Sequence, residues 1–363
     1  MGRKIGLLTS GGDCQGLNAA LRGVAKSLYE QISDLELIGF RDGYRGLIQN
    51  DCHLMTPEDF SGILTLGGTI LGTSRQPFRL LAEPAIPEQP DGPTRLEAMV
   101  RTYQQHSLDA LVILGGNGTH KTAHALATAG LNVVTLPKTI DNDLWGTDVS
   151  FGFQSAVDLA TLVIDNIHTT ATSHGRIFII ELMGHEAGWL TLHAGVAGGA
   201  DVILIPEIPC RLDAIIRSLR EREAKHKRFS IIALAEGART VEEAGLSKKE
   251  RRRLHDQEIF PSAAYRLAKA LEQQTGQEIR VTVPGHFQRG GQPVAADRVL
   301  ATTLGTAAAD LVVRGQYGQM AGIRDGRTVA VPLAEVAGKL RLVPADAQLV
   351  RAARAIGTSF GDA

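Results

Sequence analysis

The chain has 363 residues, 44% of them hydrophobic, with 14 prolines and no long apolar run, so it is expected to be a globular protein of about two domains that does not span a membrane. Lys plus Arg number 38 against 39 for Asp plus Glu, a balance that leaves no footprint for nucleic acid or an anionic membrane and points to a small-molecule partner. Three scattered cysteines, Cys14, Cys52 and Cys210, match neither a zinc-ligand spacing nor a redox pair, which suits a reducing, cytoplasmic compartment.

The apolar run at residues 5–8 is too short for a signal peptide, and Gly6 stands where an N-myristoylation motif has Ser or Thr, so the run is expected as a first buried strand. It ends in Ser10-Gly11-Gly12-Asp13, after which Leu17, Ala20, Leu21, Val24 and Leu28 recur at helical spacing. A strand, a glycine loop and a helix aim free amides and the positive end of a helix dipole at one point, which suits an anion. The loop is neither a Walker A motif nor the dinucleotide fingerprint, and a tight turn without a ligand accounts for it equally well.

A second strand, residues 35–40, precedes Asp42-Gly43-Tyr44-Arg45-Gly46. Further glycine turns follow at Gly67-Gly68-Thr69 and Leu71-Gly72-Thr73-Ser74-Arg75, where Arg75 taken alone is a surface charge. Residues 81–94, rich in proline and acid, read as an exposed loop. A helix at 95–106, an apolar strand at 108–114, the turn Gly115-Gly116-Asn117-Gly118-Thr119 and a helix at 120–129 come next. Amides from two strand–helix junctions are then available to one polyphosphate. The strand at 131–136 enters Pro137-Lys138-Thr139-Ile140-Asp141-Asn142-Asp143. Two acids around an amide suit a proton acceptor beside a metal or phosphate, with Lys138 as a fixed charge; a turn capped by Asx hydrogen bonds is the plain alternative.

An amphipathic helix is expected over 152–170, then a strand at 177–181 running into Met183-Gly184-His185-Glu186, which is not a zinc site because no second histidine falls four residues after His185. Strands at 202–205 and 230–235 follow, the latter ending at Glu236-Gly237. The region 241–257 carries a capping box, Ser247-Lys248-Lys249-Glu250, and Arg251-Arg252-Arg253, read as a solvated helix or loop. A helix at 262–274 and a strand at 279–283 lead to Pro284-Gly285-His286-Phe287-Gln288-Arg289-Gly290-Gly291, whose histidine and arginine beside glycines suit a phosphate ester. Only helices without a motif are expected beyond. The alternation of strand and helix, with no internal sequence repeat, predicts two similar α/β lobes.

Taken in order, the turns at Leu8 to Asp13, Leu71 to Arg75, Gly115 to Thr119, Pro137 to Asp143, Glu181 to His185, Glu236-Gly237 and Gly285 to Gly291 strongly resemble the phosphofructokinase family over roughly residues 4–320. The resemblance implies two Rossmann-like three-layer α/β/α lobes with the active site in the cleft between them. Residues 1–151 with 288–338 would bind the phosphoryl donor, and 152–287 with 339–363 fructose 6-phosphate. It implies Asp141 as the base that takes the proton of the sugar 1-hydroxyl, with Thr139 and Arg75 steadying the transferring phosphoryl group. Gly11, Arg75, Asn117, Gly118, Thr119 and Lys138 would hold the donor. Thr139, Asp141, Asp143, Arg176, Met183, Gly184, His185, Glu236, Arg280, His286 and Arg289 would hold the sugar phosphate. Asn117 and Asp143 would stand by Mg2+. Arg176 and Arg280 match arginines that reach the 6-phosphate from a neighbouring subunit, which implies a homo-oligomer, dimer or tetramer, with shared sites.

Two departures stand out. Asn117 replaces the magnesium-associated aspartate of the family turn, keeping a carbonyl oxygen but no charge. Gly118 leaves room for the nucleoside of ATP, whereas Lys138 is usual in pyrophosphate users, so the pair resembles the family's mixed group. Steric room outweighs a spare charge, and ATP is the expected donor; a reversible pyrophosphate-dependent phosphotransferase is the alternative. An NAD or lipid kinase would share the glycine turn but have no use for His286 and Arg289. A catalytically weak, sugar-phosphate-sensing subunit is the reading that Asn117 suggests.

Overall fold

The computed structural model describes residues 2–255 and 262–363. Two compact units form, Met1–Ser155 with Arg289–Arg341, and Ala156–Gln288 with Leu342–Ala363. In the first, chain order runs β1 (Arg3–Ser10), α1 (Leu17–Gln31), β2 (Leu35–Phe40), α2 (Tyr44–Gln49), β3 (Cys52–Met55), α3 (Arg95–Gln105), β4 (Ala110–Gly115), α4 (Asn117–Thr128) and β5 (Val133–Pro137). The helix α5 (Phe153–His174) carries the chain into the second unit. There follow β6 (Ile177–Leu182), α6 (Trp189–Ala197), β7 (Val202–Leu204), α7 (Leu212–Ala224), β8 (Ser230–Ala235), α8 (Val241–Ala244), α9 (Lys248–His255), α10 (Ala263–Thr275) and β9 (Ile279–Thr282). The chain then returns to the first unit with α11 (Ala295–Val313), β10 (Gln319–Arg324), β11 (Arg327–Pro332) and α12 (Leu333–Val336), and ends in the second with α13 (Gln348–Ala355).

The first sheet has seven strands in the order β11-β10-β5-β4-β1-β2-β3. Its five inner strands are parallel, and β3 and β11 pair antiparallel at the two edges. Inner strands covered on both faces are largely apolar, and every residue of β4 and β5 is buried. Leu8, Ile38, Leu111, Ile113 and Val133 share one core with residues of α2, α3, α4 and α12, while α11 packs on β5 and β10 and pairs with α1. The second sheet is all parallel, β7-β8-β6-β9, with α7 and α10 in the core on one side and α6 against β7 and β8. This is the α/β fold in two lobes that the alternation of strand and helix predicts.

In the first sheet the chain works outward from β1 through β2 to β3 and then crosses to β4 on the other side of β1; in the second it goes from β6 to the edge strand β7, returns to β8 between them, and then crosses to β9 on the other side of β6. Such a reversal leaves a crevice at the carboxyl ends of the two strands, where open α/β sheets bind ligands.

The region after residue 291 departs from expectation. Besides α11, α12 and α13 it holds the hairpin β10–β11, whose turn Asp325-Gly326 has positive φ at both residues (49° and 73°). That geometry is the type I′ turn, and Asp-Gly between alternating residues is its usual signal. The capping box at Ser247 is formed, with Ser247 N–H on the Glu250 carboxylate at 2.8 Å and Glu250 N–H on Ser247 Oγ at 3.3 Å. Residues 256 and 257 of that expected segment lie outside the described residues.

Candidate active site

The reversal in the first sheet gathers three loops, those after β1, β4 and β5. Gly11, at φ 88°, turns the chain straight out of β1, a conformation that a side chain would strain. Its N–H donates to Ser74 O at 3.1 Å, and Thr73 Oγ1 donates to its carbonyl at 2.7 Å, so the loop carrying Arg75 is pinned to the first glycine turn. Arg75 itself is exposed. Helix α4 begins earlier than residue 120, with Gly116 as N-cap, so the glycine turn is itself the first turn of the helix and Asn117, Gly118 and Thr119 contribute its N-terminal amides. Thr119 is buried, and its hydroxyl donates to Ser10 O at 3.4 Å. Gly118 is exposed, and a methyl group there would meet nothing within 4 Å.

Lys138, at the end of β5, is 3% exposed and its ammonium donates to the Gly12 carbonyl. Burial pushes its pKa down, while the charges of Asp141 and Asp13 act in the other direction. Arg289 lies on the same loop, donating from Nη1 to Asp13 O at 2.9 Å. Two cations therefore line the glycine turn.

The turn Thr139 to Asp143 is built by its neutral members. Asp141 N–H donates to Thr139 Oγ1 at 3.0 Å, Ser150 Oγ to Thr139 O at 2.8 Å, and Ser150 N–H to Asn142 Oδ1 at 3.0 Å, with Asn142 itself at φ 52°. Thr139 makes the local turn bond and Asn142 ties the turn to residue 150, which leaves the acids on either side of Asn142 for other work. Asp143 is buried, and desolvation, then the charge of Asp141, pushes its carboxyl up to about 7 against the pull of Lys138 and the Thr139 hydroxyl. Asp141 Oδ1 is buried and has no hydrogen-bond partner among the described residues. A buried carboxylate oxygen with no donor needs a cation or an incoming proton.

The second reversal gathers the loops after β6, β8 and β9. His185 N–H donates to Glu236 Oε1 at 2.8 Å, and Met183 N–H to Gln288 Oε1 at 3.3 Å, while Gln288 Nε2 donates to Gly285 O at 3.1 Å. Gln288 is fully buried and braces the Met183-Gly184-His185 turn against the loop that presents exposed His286. Arg280 on β9 and Arg176 just before β6 both pair with Glu278.

A sequence model of the phosphofructokinase family matches residues 4–312. The chain is 55% identical over 361 residues to an ATP-dependent 6-phosphofructokinase of Spirochaeta thermophila, covering 99% of this chain and 98% of the relative. The chain belongs to the phosphofructokinase family. An ATP-dependent 6-phosphofructokinase of Propionibacterium freudenreichii is 47% identical over the full length of both chains. Among solved structures, phosphofructokinase from Saccharomyces cerevisiae superposes with TM-score 0.75 at 30% identity over 92% of this chain, which spans 45% of the yeast chain. A pyrophosphate-dependent phosphofructokinase from Marinobacter aquaeolei superposes with TM-score 0.78 at 20% identity, over 96% of this chain and 88% of its own, a likeness of fold.

Of the residues expected to hold the donor, Gly11, Thr119 and Lys138 lie in the first unit, with Gly118 and Arg75 exposed, and the same unit holds Thr139 and Asp141, expected as catalytic, and Asp143, expected beside the metal. Arg289, expected with the sugar phosphate, lies in the first unit against Gly12 and Asp13, whereas Met183, His185, Glu236 and His286 are in the second. The Asn117 side chain is engaged elsewhere: its Oδ1 accepts from Gly338 N–H at 3.2 Å and its Nδ2 donates to Lys339 O at 3.5 Å. Among the described residues no group of three or more His, Cys, Asp or Glu gathers as a metal cage. The Asp141 and Asp143 carboxylates nonetheless fit Mg2+, which takes one or two carboxylates and completes its shell with phosphate oxygens and water. Missing from the sequence reading were Gln288 as a brace and Arg341, whose N–H donates to Asp143 O at 2.8 Å and whose Nη1 donates to Asn142 O at 3.2 Å. Neither carries a local signal, since both act through backbone atoms of distant loops.

Proposed function

We propose that this chain is an ATP-dependent 6-phosphofructokinase that transfers the terminal phosphoryl group of ATP to the 1-hydroxyl of fructose 6-phosphate, giving fructose 1,6-bisphosphate in glycolysis. The observation that carries the reading is Asp141, a carboxylate with a buried, undonated oxygen, in the unit that also holds the N-terminal amides of α4 and the cations Lys138 and Arg289 on the first glycine turn. Asp141 takes the hydroxyl proton as the sugar oxygen bonds to phosphorus and the bond from phosphorus to the bridging oxygen breaks, leaving ADP. The amides at the start of α4 hold the donor phosphates beside the Gly11 turn, and Thr139 and Arg75 steady the charge that spreads over the transferring group. In the second unit Met183, Gly184, His185, Glu236 and His286 hold the sugar and its 6-phosphate. Asp143, with Asp141, would hold Mg2+, which offsets phosphate charge when bound.

For the donor, open space at Gly118 leaves room for a nucleoside, and the Lys138 ammonium is tied to a backbone carbonyl instead of projecting freely. Both favour ATP over pyrophosphate, in agreement with the names of the relatives. No helix among the described residues is long and apolar enough to cross a membrane, and a cytoplasmic enzyme is the reading we adopt. It works as a homo-oligomer in which Arg176 and Arg280, steered by Glu278, complete the 6-phosphate site of a neighbouring subunit.

The test is turnover of fructose 6-phosphate with ATP or with pyrophosphate as sole donor. ATP is expected to support turnover, and Asp141→Asn to lower kcat by about 10²- to 10⁴-fold with KM for the sugar changed far less. Activity with pyrophosphate alone would overturn the donor assignment, and near-normal turnover by the variant would remove Asp141 from the role of base.

A further inference from the structure

Residues 338–341, the last of the first unit, form a strap that is bonded to two of the loops at the donor site. At its start Gly338 N–H and Lys339 O pair with the two ends of the Asn117 amide, at 3.2 Å and 3.5 Å. At its end Arg341 N–H donates to Asp143 O at 2.8 Å and Arg341 Nη1 to Asn142 O at 3.2 Å. Between them Leu340 forms an antiparallel bridge with Leu144. Asn117 opens α4 directly after β4, and the Asp141–Asp143 turn follows the neighbouring strand β5. Four consecutive residues therefore tie the start of one phosphate-binding helix to the backbone of the acidic turn.

We infer that Asn117 is a positioning residue, which fixes the strap and, through it, the Asp141–Asp143 turn. The amide is the right group for this. Its oxygen accepts from an N–H and its nitrogen donates to a carbonyl one residue further on, whereas a carboxylate would satisfy the first and set its lone pairs against the Lys339 carbonyl. Gly338 fits the same assembly. It has φ 83°, where a side chain is strained, and a methyl group there would lie 3.3 Å from Cε of Lys121, the next turn of α4. The departure from aspartate at this position is thus matched to the strap, and the acids at 141 and 143 are left to meet the metal. The kinetic half of this inference rests on the phosphofructokinase reading; the structural half does not.

Hydrogen exchange of the ligand-free protein separates the two. Asn117→Ala is expected to speed exchange at the Gly338 and Arg341 amides, and Asn117→Asp at the Arg341 amide, while both leave the β10–β11 hairpin unchanged. In steady-state assays Asn117→Asp is expected to lower kcat about tenfold or more, with the Mg2+ concentration for half-maximal activity unchanged. Gly338→Ala, which alters the strap without touching the 117 side chain, is expected to lower kcat to a similar degree, and the double variant no further than either alone. Unchanged exchange at Arg341 overturns the inference. So does an Asn117→Asp enzyme that keeps its kcat and reaches half-maximal activity at lower Mg2+, because that is the behaviour of a metal ligand. If the wild-type protein turns over no fructose 6-phosphate with either donor, the functional reading fails, and the exchange measurement alone decides the role of Asn117.

Discussion

Lys138, Asp141 and Asp143 show how little of a side chain's behaviour is set by its type. The lysine is pushed towards neutrality by burial, and Asp143, two residues from the expected base, is held up to about 7 by desolvation and by the neighbouring carboxylate. The consequence for stability has a definite sign. A folded-state value raised above the unfolded one contributes stability that is fully present below about pH 4 and is lost as the pH rises through about 7. Metal-free protein is therefore expected to lose stability from this group between those limits, by a few kcal/mol at most, and Asp143→Asn to lack that component. Urea denaturation in the presence of a chelator, repeated across the pH range, measures it; equal pH dependence of the two proteins would contradict the assignment. The part of this turn that follows from local chemistry is the bond from Asp141 N–H to the Thr139 hydroxyl two residues back, whereas Asn142 is held by Ser150, eight residues on.

At the scale of elements, strand and helix positions followed from apolar runs and helical spacing, and the loops at the ends of β1, β4, β5, β6 and β9 are where the motifs sit. What local pattern did not reveal is how these loops are held. The start of α5 is capped from a distance by Asp297 of α11, whose buried carboxylate accepts from Gly152 N–H at 3.1 Å, Ser155 N–H at 2.7 Å and Ser155 Oγ at 2.6 Å. Asp297→Ala leaves those donors buried without a partner and is expected to cost about 2–4 kcal/mol. Chemical denaturation reads the loss directly, and a change below about 0.5 kcal/mol would show that water replaces the carboxylate. The hairpin β10–β11 was legible in principle through the Asp325-Gly326 pair, but its strands do not alternate cleanly and one strand pair against a background of helices is a weak periodic signal.

For the whole molecule, the proposed sharing of sites between subunits makes a prediction that no single chain can meet. Subunits carrying Asp141→Asn lack a base but keep Arg176 and Arg280, while subunits carrying Arg176→Ala with Arg280→Ala keep the base. Each parent is expected to be nearly inactive, and co-refolded mixtures to regain measurable turnover in the hybrid oligomers. Mixtures no more active than their parents would mean that each chain completes its own site. The Glu278 pairs to both arginines give the physical basis, since they hold the two guanidinium groups together on one edge of the second unit's sheet.

The sequence by itself determined the class of fold, the order of the strands and helices around the motifs, and the family, because apolar periodicity and turn chemistry are local and the ordered set of glycine and acidic turns is specific. Only the tertiary structure decided which of those residues meet. It placed Arg289 on the first glycine turn, gave the Asn117 amide to residues 338 and 339, and left one oxygen of Asp141 buried without a donor. These outcomes depend on contacts between residues as far apart as 276 and 221 positions in the chain, and on burial, neither of which a stretch of sequence carries.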